Sequence, residues 1–155
     1  MSLVCVKEYL KQYGRDGDVL ELTQSTATVS LASEALGVES ARIAKTLSFK
    51  GKAGAIVVVV AGDAKIDNKK FKMTFGLKAR MLTPEEVVEY TNHEIGGVCP
   101  FGISREDVMI YLDKSLERFN TVFPACGSAN SAIELSCKEL ERLCRVENWV
   151  DVCNY

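Results

Sequence analysis

The sequence predicts a single α/β domain in which helices surround a mixed sheet of six or seven strands. Three observations indicate this class. The run Ala55–Ala61 is apolar, β-branched and bounded by glycines, as buried central strands are. Segments of helical periodicity with start signals separate such runs. Strand hairpins alternate with single helices, so a purely parallel sheet is not expected. The 155 residues, 47% of them hydrophobic, suit one domain over residues 1–155.

Helix signals occur in five places along the chain. The first is an amphipathic repeat of apolar residues, and each of the others joins helical spacing to a start or stop signal. Two of them begin with Thr or Ser followed three residues later by Glu, the pattern of a capping box. Two others end at Gly37 and Gly76, which suit the left-handed conformation after a helix. The predicted helices cover residues 2–13, 28–36, 67–75, 83–90 and 136–145.

Strand signals fill the remaining segments. Alternation over residues 45–50 and the apolar run at 55–61 predict a hairpin across the glycine turn between them. Pro124 has no N–H to donate, so its strand is expected at an edge or a bulge of the sheet. Further short strands are predicted at residues 19–22, 77–81, 108–112, 121–126, 132–135 and 149–152.

Composition excludes several classes of function. A net charge of −2 is unlike that of a protein that coats DNA. The longest apolar run is about half of the roughly 20 residues that a membrane helix needs, and no secretory signal is visible near the start. The six cysteines form no C-x-x-C pair, and there is one histidine, so neither disulfides nor a metal site are expected. We expect a cytoplasmic protein with free thiols that needs no cofactor and binds neither DNA nor membrane.

Lys45 lies on the apolar face of its predicted strand. Strict alternation places Lys45, Leu47 and Phe49 on one face, and Thr46 and Ser48 on the other. Lysines are almost never fully buried, so most are solvated surface groups. One that shares a face with Leu and Phe either lines a cavity or extends past the end of its strand.

The densest glycine cluster of the chain follows the fourth predicted helix. Three glycines and a proline within seven residues exclude a helix interior and disfavour a strand. Such a loop either only connects two elements or allows another molecule to approach its main-chain N–H groups. The loop consists of Gly96, Gly97, Val98, Cys99, Pro100, Phe101 and Gly102. A second small-residue loop begins at Gly127 and Ser128, where Ser128 suits either a turn or a ribose contact.

These motifs in this order resemble the YbaK-like aminoacyl-tRNA deacylases, which include the editing domain inserted in bacterial prolyl-tRNA synthetases. The resemblance extends from about Thr26 to Val152. The segments that match are Arg42–Leu47, Ala61–Asp63, Gly96–Gly102, and Gly127–Ser128 ahead of Ile133–Leu135.

The resemblance implies the fold of that family and hydrolysis of the ester between a wrong amino acid and the 3′-terminal adenosine of tRNA. It implies Lys45 as the residue most associated with activity, acting with Gly96 and Gly97. The rest of the loop, from Val98 to Gly102, together with Gly127 and Ser128, would bind substrate. Many relatives have Ser where this chain has Cys99, so the backbone matters more there than the thiol. The implied partners are an aminoacyl-tRNA and prolyl-tRNA synthetase.

Physical chemistry allows three interpretations of this loop. Water attack on an ester places negative charge on the carbonyl oxygen, which main-chain N–H groups of a glycine loop are suited to stabilise. A thiol enzyme would instead use Cys99 with His93 as its base. A non-catalytic module would keep the cavity and serve as an adaptor for tRNA or a synthetase. The basic cluster of Lys65, Lys69, Lys70 and Lys72 is either a solvated helix face or a surface that contacts phosphates.

Overall fold

A mixed five-stranded sheet forms the centre of the structure, a computed structural model that describes residues 2–155. The strands are β1 (Leu20–Glu21), β2 (Ile43–Lys50), β3 (Ala55–Ala61), β4 (Lys65–Ile66), β5 (Val108–Asp113), β6 (Phe123–Pro124), β7 (Ser131–Ala132), β8 (Val146–Val150) and β9 (Cys153–Asn154). The central sheet has the order β6-β2-β3-β5-β8, and β1–β7 and β4–β9 form two small antiparallel pairs. The predicted α/β class is confirmed, whereas the predicted count of six or seven strands in one sheet was too high.

Five α-helices pack around the sheet, and their boundaries follow the capping signals. They are α1 (Ser2–Lys11), α2 (Val29–Leu36), α3 (Asn68–Phe75), α4 (Pro84–Thr91) and α5 (Cys137–Leu143). Both predicted capping boxes are formed, at Thr83 and at Ser136. Gly37 and Gly76 end their helices with φ of 67° and 74°, as predicted.

The hairpin of β2 and β3 is the core of the sheet. It runs in register from Ala44 opposite Ala61 to Lys50 opposite Ala55. All seven residues of β3 are buried, because β5 lies parallel on its other side and both faces are covered. Burying a valine side chain contributes about 1.5–3 kcal/mol, so these neighbouring valines anchor the sheet.

The outer edge of β2 is covered in two separate places. At one end, β6 pairs with Ile43 and Ala44 only. At the other end, the Lys50 N–H donates to the Arg80 carbonyl (2.8 Å), and the Leu82 N–H donates to the Ser48 carbonyl (3.0 Å). Residues 45–47 between these two places have no neighbouring strand on this side. We call them the open edge of β2.

Several predicted short strands proved to be shorter than expected. Residues 77–81 form only an isolated bridge between Met81 and Phe49, while 121–126 and 132–135 reduce to the two-residue strands β6 and β7. Pro124 lies on the edge strand β6, as its missing N–H predicted. The opposite edge is β8, which begins before the predicted residues 149–152.

Candidate functional site

A cavity of about 330 Å³ opens beside the open edge of β2. Its walls come from the segment leading into α2, from β2, from residues 81–87, from the first part of the glycine loop and from the turn after β6. Most wall residues are apolar, and eight of the twenty are Ala, Val or Gly. The lining residues are Thr26, Ala27, Thr28, Val29, Ala32, Ile43, Ala44, Lys45, Thr46, Leu47, Ser48, Met81, Leu82, Val87, Ile95, Gly96, Val98, Phe123, Ala125 and Ser131.

Lys45 lines this cavity as a half-buried cation. Its Nζ donates a hydrogen bond to the Gly62 carbonyl at 3.4 Å. Among residues 2–155 no carboxylate lies within ion-pairing distance of it, since the nearby Asp63 is bound by both terminal nitrogens of Arg118 (2.6 and 3.0 Å). Burial lowers the pKa of Lys45, and the surroundings of Cys153 and Asp63 act in the opposite direction. Lys45 is therefore a cation with little neutralisation by its own fold.

The first half of the glycine loop presents main-chain donors to the cavity. Gly96 and Val98 both line it, and neither of their N–H groups donates a hydrogen bond to another residue of the described chain. Gly96 has φ +99°, which favours glycine. A Cβ there would lie 3.3 Å from the Cβ of Ala27 across the cavity wall. Two residues with unpartnered N–H groups thus line the same cavity as Lys45.

Gly97 and Gly127 hold the two small-residue loops together. The Gly127 N–H donates to the Gly97 carbonyl at 2.9 Å, and the Gly97 N–H donates to the Glu94 carbonyl at 3.0 Å. A Cβ on Gly97 would lie 2.6 Å from the Gly127 carbonyl carbon, closer than real contacts allow. Gly127 itself has φ +92° and packs against Ser2. Both glycines lie behind the cavity wall and fix its position.

The second half of the loop turns into the hydrophobic core. Cys99 and Phe101 are fully buried, Pro100 is buried, and Gly102 packs near Tyr9. None of these four residues lines the cavity. Burial raises the pKa of the Cys99 thiol to about 12, although the nearby Phe101 and Gly127 N–H groups lower it in part.

The buried side chain of His93 links α1 to this loop through hydrogen bonds. Its Nε2 donates to the Phe101 carbonyl at 2.8 Å, and its Nδ1 accepts from the Ser2 hydroxyl. Burial lowers the pKa of His93. The Cys99 sulfur lies 3.5 Å from Nε2, which is already engaged with the carbonyl. A protonated, buried thiol outside the cavity does not suit a nucleophile, and this geometry speaks against the thiol-enzyme interpretation.

Ser128 bonds within its own loop. Its hydroxyl contacts Asn130 Oδ1 at 2.9 Å and Ser131 Oγ at 2.8 Å, and Ser131 is the residue that reaches the cavity. The structure therefore brings Lys45, Gly96 and Val98 together, and places Gly97, Cys99, Pro100, Phe101, Gly102, Gly127 and Ser128 behind or beside the wall.

Sequence reasoning missed several residues that line the cavity. Thr46 follows Lys45 directly. Strand alternation placed it on the face opposite Lys45, so it was not predicted to line the same cavity. Ala27 and Phe123 carried no motif at all.

The described residues offer no metal centre and no membrane span. No group of three or more His, Cys, Asp or Glu side chains within residues 2–155 is placed to hold a metal ion. None of the helices in the described part of the chain has the length and apolar character needed to cross a membrane. The six cysteines are free thiols.

Comparison with known proteins identifies the class to which this fold and cavity belong. Residues 23–143 match the model of the aminoacyl-tRNA editing domain, and the chain belongs to that family. It is 57% identical to the uncharacterized protein YwhH of Bacillus subtilis, over 99% of this chain and 98% of that protein.

Two further relatives have names or descriptions that mention proline. The chain is 33% identical to a proline–tRNA ligase of Thermosipho melanesiensis over 84% of its own length, which is 22% of that ligase. A crystal structure described as a candidate trans-editing enzyme for prolyl tRNA synthetase superposes with a TM-score of 0.88 at 34% identity. The match covers 99% of this chain and 98% of that one.

Proposed function

We propose that this protein is a trans-acting aminoacyl-tRNA deacylase that removes a small, wrongly attached amino acid from tRNA, with tRNA(Pro) as the carrier. The observation that supports this most is the cavity in which Lys45 and the unoccupied N–H groups of Gly96 and Val98 meet. The trans-editing description of one relative and the ligase name of another support the carrier.

The proposed reaction is hydrolysis of the ester to the terminal ribose. A water oxygen bonds to the carbonyl carbon, the bond to the ribose oxygen breaks, and a proton passes to that ribose oxygen. The products are a free amino acid and uncharged tRNA. The Gly96 and Val98 N–H groups stabilise the negative charge that develops on the carbonyl oxygen. One such donor is worth about 2.7–4 kcal/mol of barrier in other hydrolases.

Lys45 holds an oxygen of the terminal nucleotide or adds to the stabilisation of the oxyanion. A partly desolvated cation without a carboxylate partner interacts more strongly with an incoming anion than a solvated one does. Neither role needs Lys45 as a base. Aminoacyl esters are labile, so placing water and ester together supplies much of the rate.

The cavity walls favour a small, apolar amino acid. Ala27, Val29, Ala32, Ile43 and Phe123 leave limited space next to the open edge of β2. A synthetic site shaped for proline discriminates against a smaller amino acid by only about 1–3 kcal/mol per missing methylene. Alanine, cysteine and 2-aminobutyrate are therefore the substrates that we propose. An editing site in the cytoplasm, acting after release from the synthetase, would supply the remaining fidelity.

A basic surface next to the cavity suits the phosphates of an acceptor stem. Lys52, Lys69, Lys72, Lys78 and Arg80 are exposed, and none of them has a carboxylate within 4 Å among residues 2–155. The surface starts at Arg80, next to the cavity residue Met81, and extends over α3. Contacts to phosphates from such a surface would make tRNA binding weaken steeply with salt.

The test is a deacylation panel with purified protein and tRNA(Pro) charged with Ala, Cys, Ser, 2-aminobutyrate or Pro. We expect turnover of at least one small amino acid, sparing of Pro-tRNA(Pro), and a loss of a hundredfold or more in Lys45→Ala. Undiminished turnover by that variant would overturn the assigned site. Binding of tRNA or prolyl-tRNA synthetase without turnover of any charged species would favour the adaptor interpretation.

A further inference from the structure

One buried hydroxyl in the cavity has no partner in the fold. Thr46 is 8% exposed and lines the cavity, and its Oγ1 makes no hydrogen bond to any residue between 2 and 155. It is the one buried side-chain oxygen or nitrogen of the described chain in this condition. Leaving such a group unpaired costs about 1–3 kcal/mol, so the fold keeps it against its own stability.

Thr46 also lies at the middle of the open edge of β2. The main-chain groups of Ser48 and Lys50 point away from β3, toward residues 80–82. In an antiparallel pair the N–H and C=O groups of one residue point to the same side, and this side alternates along the strand. The N–H and C=O groups of Thr46 therefore point to the same side as those of Ser48 and Lys50, which at this position is the open edge of β2. Neither β6 nor residues 80–82 reach this position. Thr46 thus combines a free hydroxyl with main-chain groups that lack a strand partner.

Several other polar groups of the cavity are hydrogen-bond donors or are already engaged within the fold. The Gly96 and Val98 N–H groups and Lys45 are all donors. No carboxylate lines the cavity among the described residues. The hydroxyl of Thr28 accepts from the Leu31 N–H. Thr46 therefore offers an amino group in this cavity an acceptor hydroxyl that no residue of the described chain occupies.

We infer that Thr46 binds the α-amino group of the aminoacyl ester, through its hydroxyl and its main-chain carbonyl. The inference rests on the proposed function, because the ligand is an amino acid linked to ribose. A change of χ1 rotamer turns the hydroxyl toward the cavity, and the ligand supplies the missing partner.

The test compares two non-hydrolysable ligands that differ only in this amino group. They are 3′-deoxyadenosine derivatives with an alanyl or a propionyl group in amide linkage at the 3′ position. Calorimetric titration of the full chain should show tighter binding of the alanyl compound by about tenfold, the usual worth of a hydrogen bond to a charged or strongly polar group. In Thr46→Val the ratio should fall to about twofold or less, and Thr46→Ser should restore it.

Stability measurements separate this role from a structural one. Thr46→Val replaces an unpaired hydroxyl by a methyl group of similar volume, so its melting temperature should equal or exceed that of the unchanged protein. Thr91→Val is the matched control, because the buried Thr91 hydroxyl lies outside the cavity and donates to the Val87 carbonyl at 2.6 Å. That variant should lose stability and keep the tenfold ratio.

Three results would overturn the inference. They are an unchanged ratio in Thr46→Val, an equal loss of affinity for both compounds, and a marked loss of stability in Thr46→Val. Failure of the proposed function has a different signature. A protein that binds the alanyl compound through Thr46, yet hydrolyses no charged tRNA, would retain this inference and lose its assignment as a deacylase.

Discussion

The two halves of the glycine loop have different surroundings. Gly96 and Val98 in the first half line the cavity and have N–H groups without a partner, whereas residues 99–102 are packed against the core, and His93 holds the Phe101 carbonyl. Both halves contain glycine and apolar residues. The difference shows that the main chain of such a loop is available to a ligand only where its N–H groups have no partner within the protein. Elsewhere in the loop, glycine allows close packing.

The largest expected effect is on stability in the second half. Phe101→Ala removes a fully buried ring and should cost about 3–5 kcal/mol of unfolding free energy. Ile95→Ala in the first half removes a side chain that is 61% exposed and should change stability by less than about 0.5 kcal/mol. Urea unfolding of both variants measures the contrast, and similar losses would show that the loop is one uniform unit.

The next effect concerns the junction of the halves. Gly97→Ala places a Cβ against the Gly127 backbone, which cannot move aside without shifting the second loop. We expect a loss of about 1–3 kcal/mol, seen as a lower melting temperature. Gly17→Ala is the control, because nothing lies within 4 Å of its Cβ and its φ is not positive. If both variants melt alike, the close approach of the two loops is unimportant.

A substitution at Gly96 tests the role of the first half of the loop, which lines the cavity. Gly96→Ala strains a backbone at φ +99° and brings a methyl group toward Ala27, so the free N–H should move. We expect deacylation to fall by about tenfold or more, in kcat rather than in KM. Gly14→Ala has similar backbone strain, at φ +69°, with no neighbour within 4 Å and no place in the cavity. Equal activity of the two variants would contradict the role of the Gly96 N–H.

A pH effect on stability should come from the buried half. Burial lowers the pKa of His93 below its ordinary 6.5. As pH falls, His93 therefore becomes protonated in the unfolded chain before it does in the folded chain. Its contribution is therefore present above about pH 6.5 and is lost as pH falls, by at most about 1.4 kcal/mol per pH unit. Chemical unfolding between pH 7.5 and 5 should be steeper in the parent than in His93→Gln. Parallel curves would refute this account.

The smallest expected effect is that of the thiol. Cys99→Ser should leave deacylation within about twofold, because the sulfur is buried away from the cavity and stays protonated. The measurement is the rate on the best substrate of the panel. A loss comparable to that of Lys45→Ala would restore the thiol-enzyme hypothesis.

Local signals in the sequence were strong enough to predict most of the fold. Capping residues such as Thr83 and Ser136 and the β-branched run of β3 act over a few residues, so their elements were predicted near their observed positions. Such local signals did not predict that the strands form one five-stranded sheet and two small antiparallel pairs. Whether 121–126 continues along β2 depends on long-range pairing, which stops after Ala44.

The candidate site was predictable only in part, for a similar reason. Alternation singled out Lys45, and the glycine cluster singled out the loop. Which half of that loop faces the cavity depends on where His93 and Ser2 anchor it, and these residues are far apart in sequence. Thr46 was hidden because its distinctive property, a missing partner, exists only in three dimensions.

The length of the open edge of β2 also limits what can bind there. Three residues of extended chain measure roughly 10 Å, whereas strands in proteins have about five or six residues. A single aminoacyl unit fits between β6 and residues 80–82, but a strand from another chain meets both barriers before it can pair. The same short interruption therefore leaves room for a small ligand and protects an unpaired strand edge from aggregation.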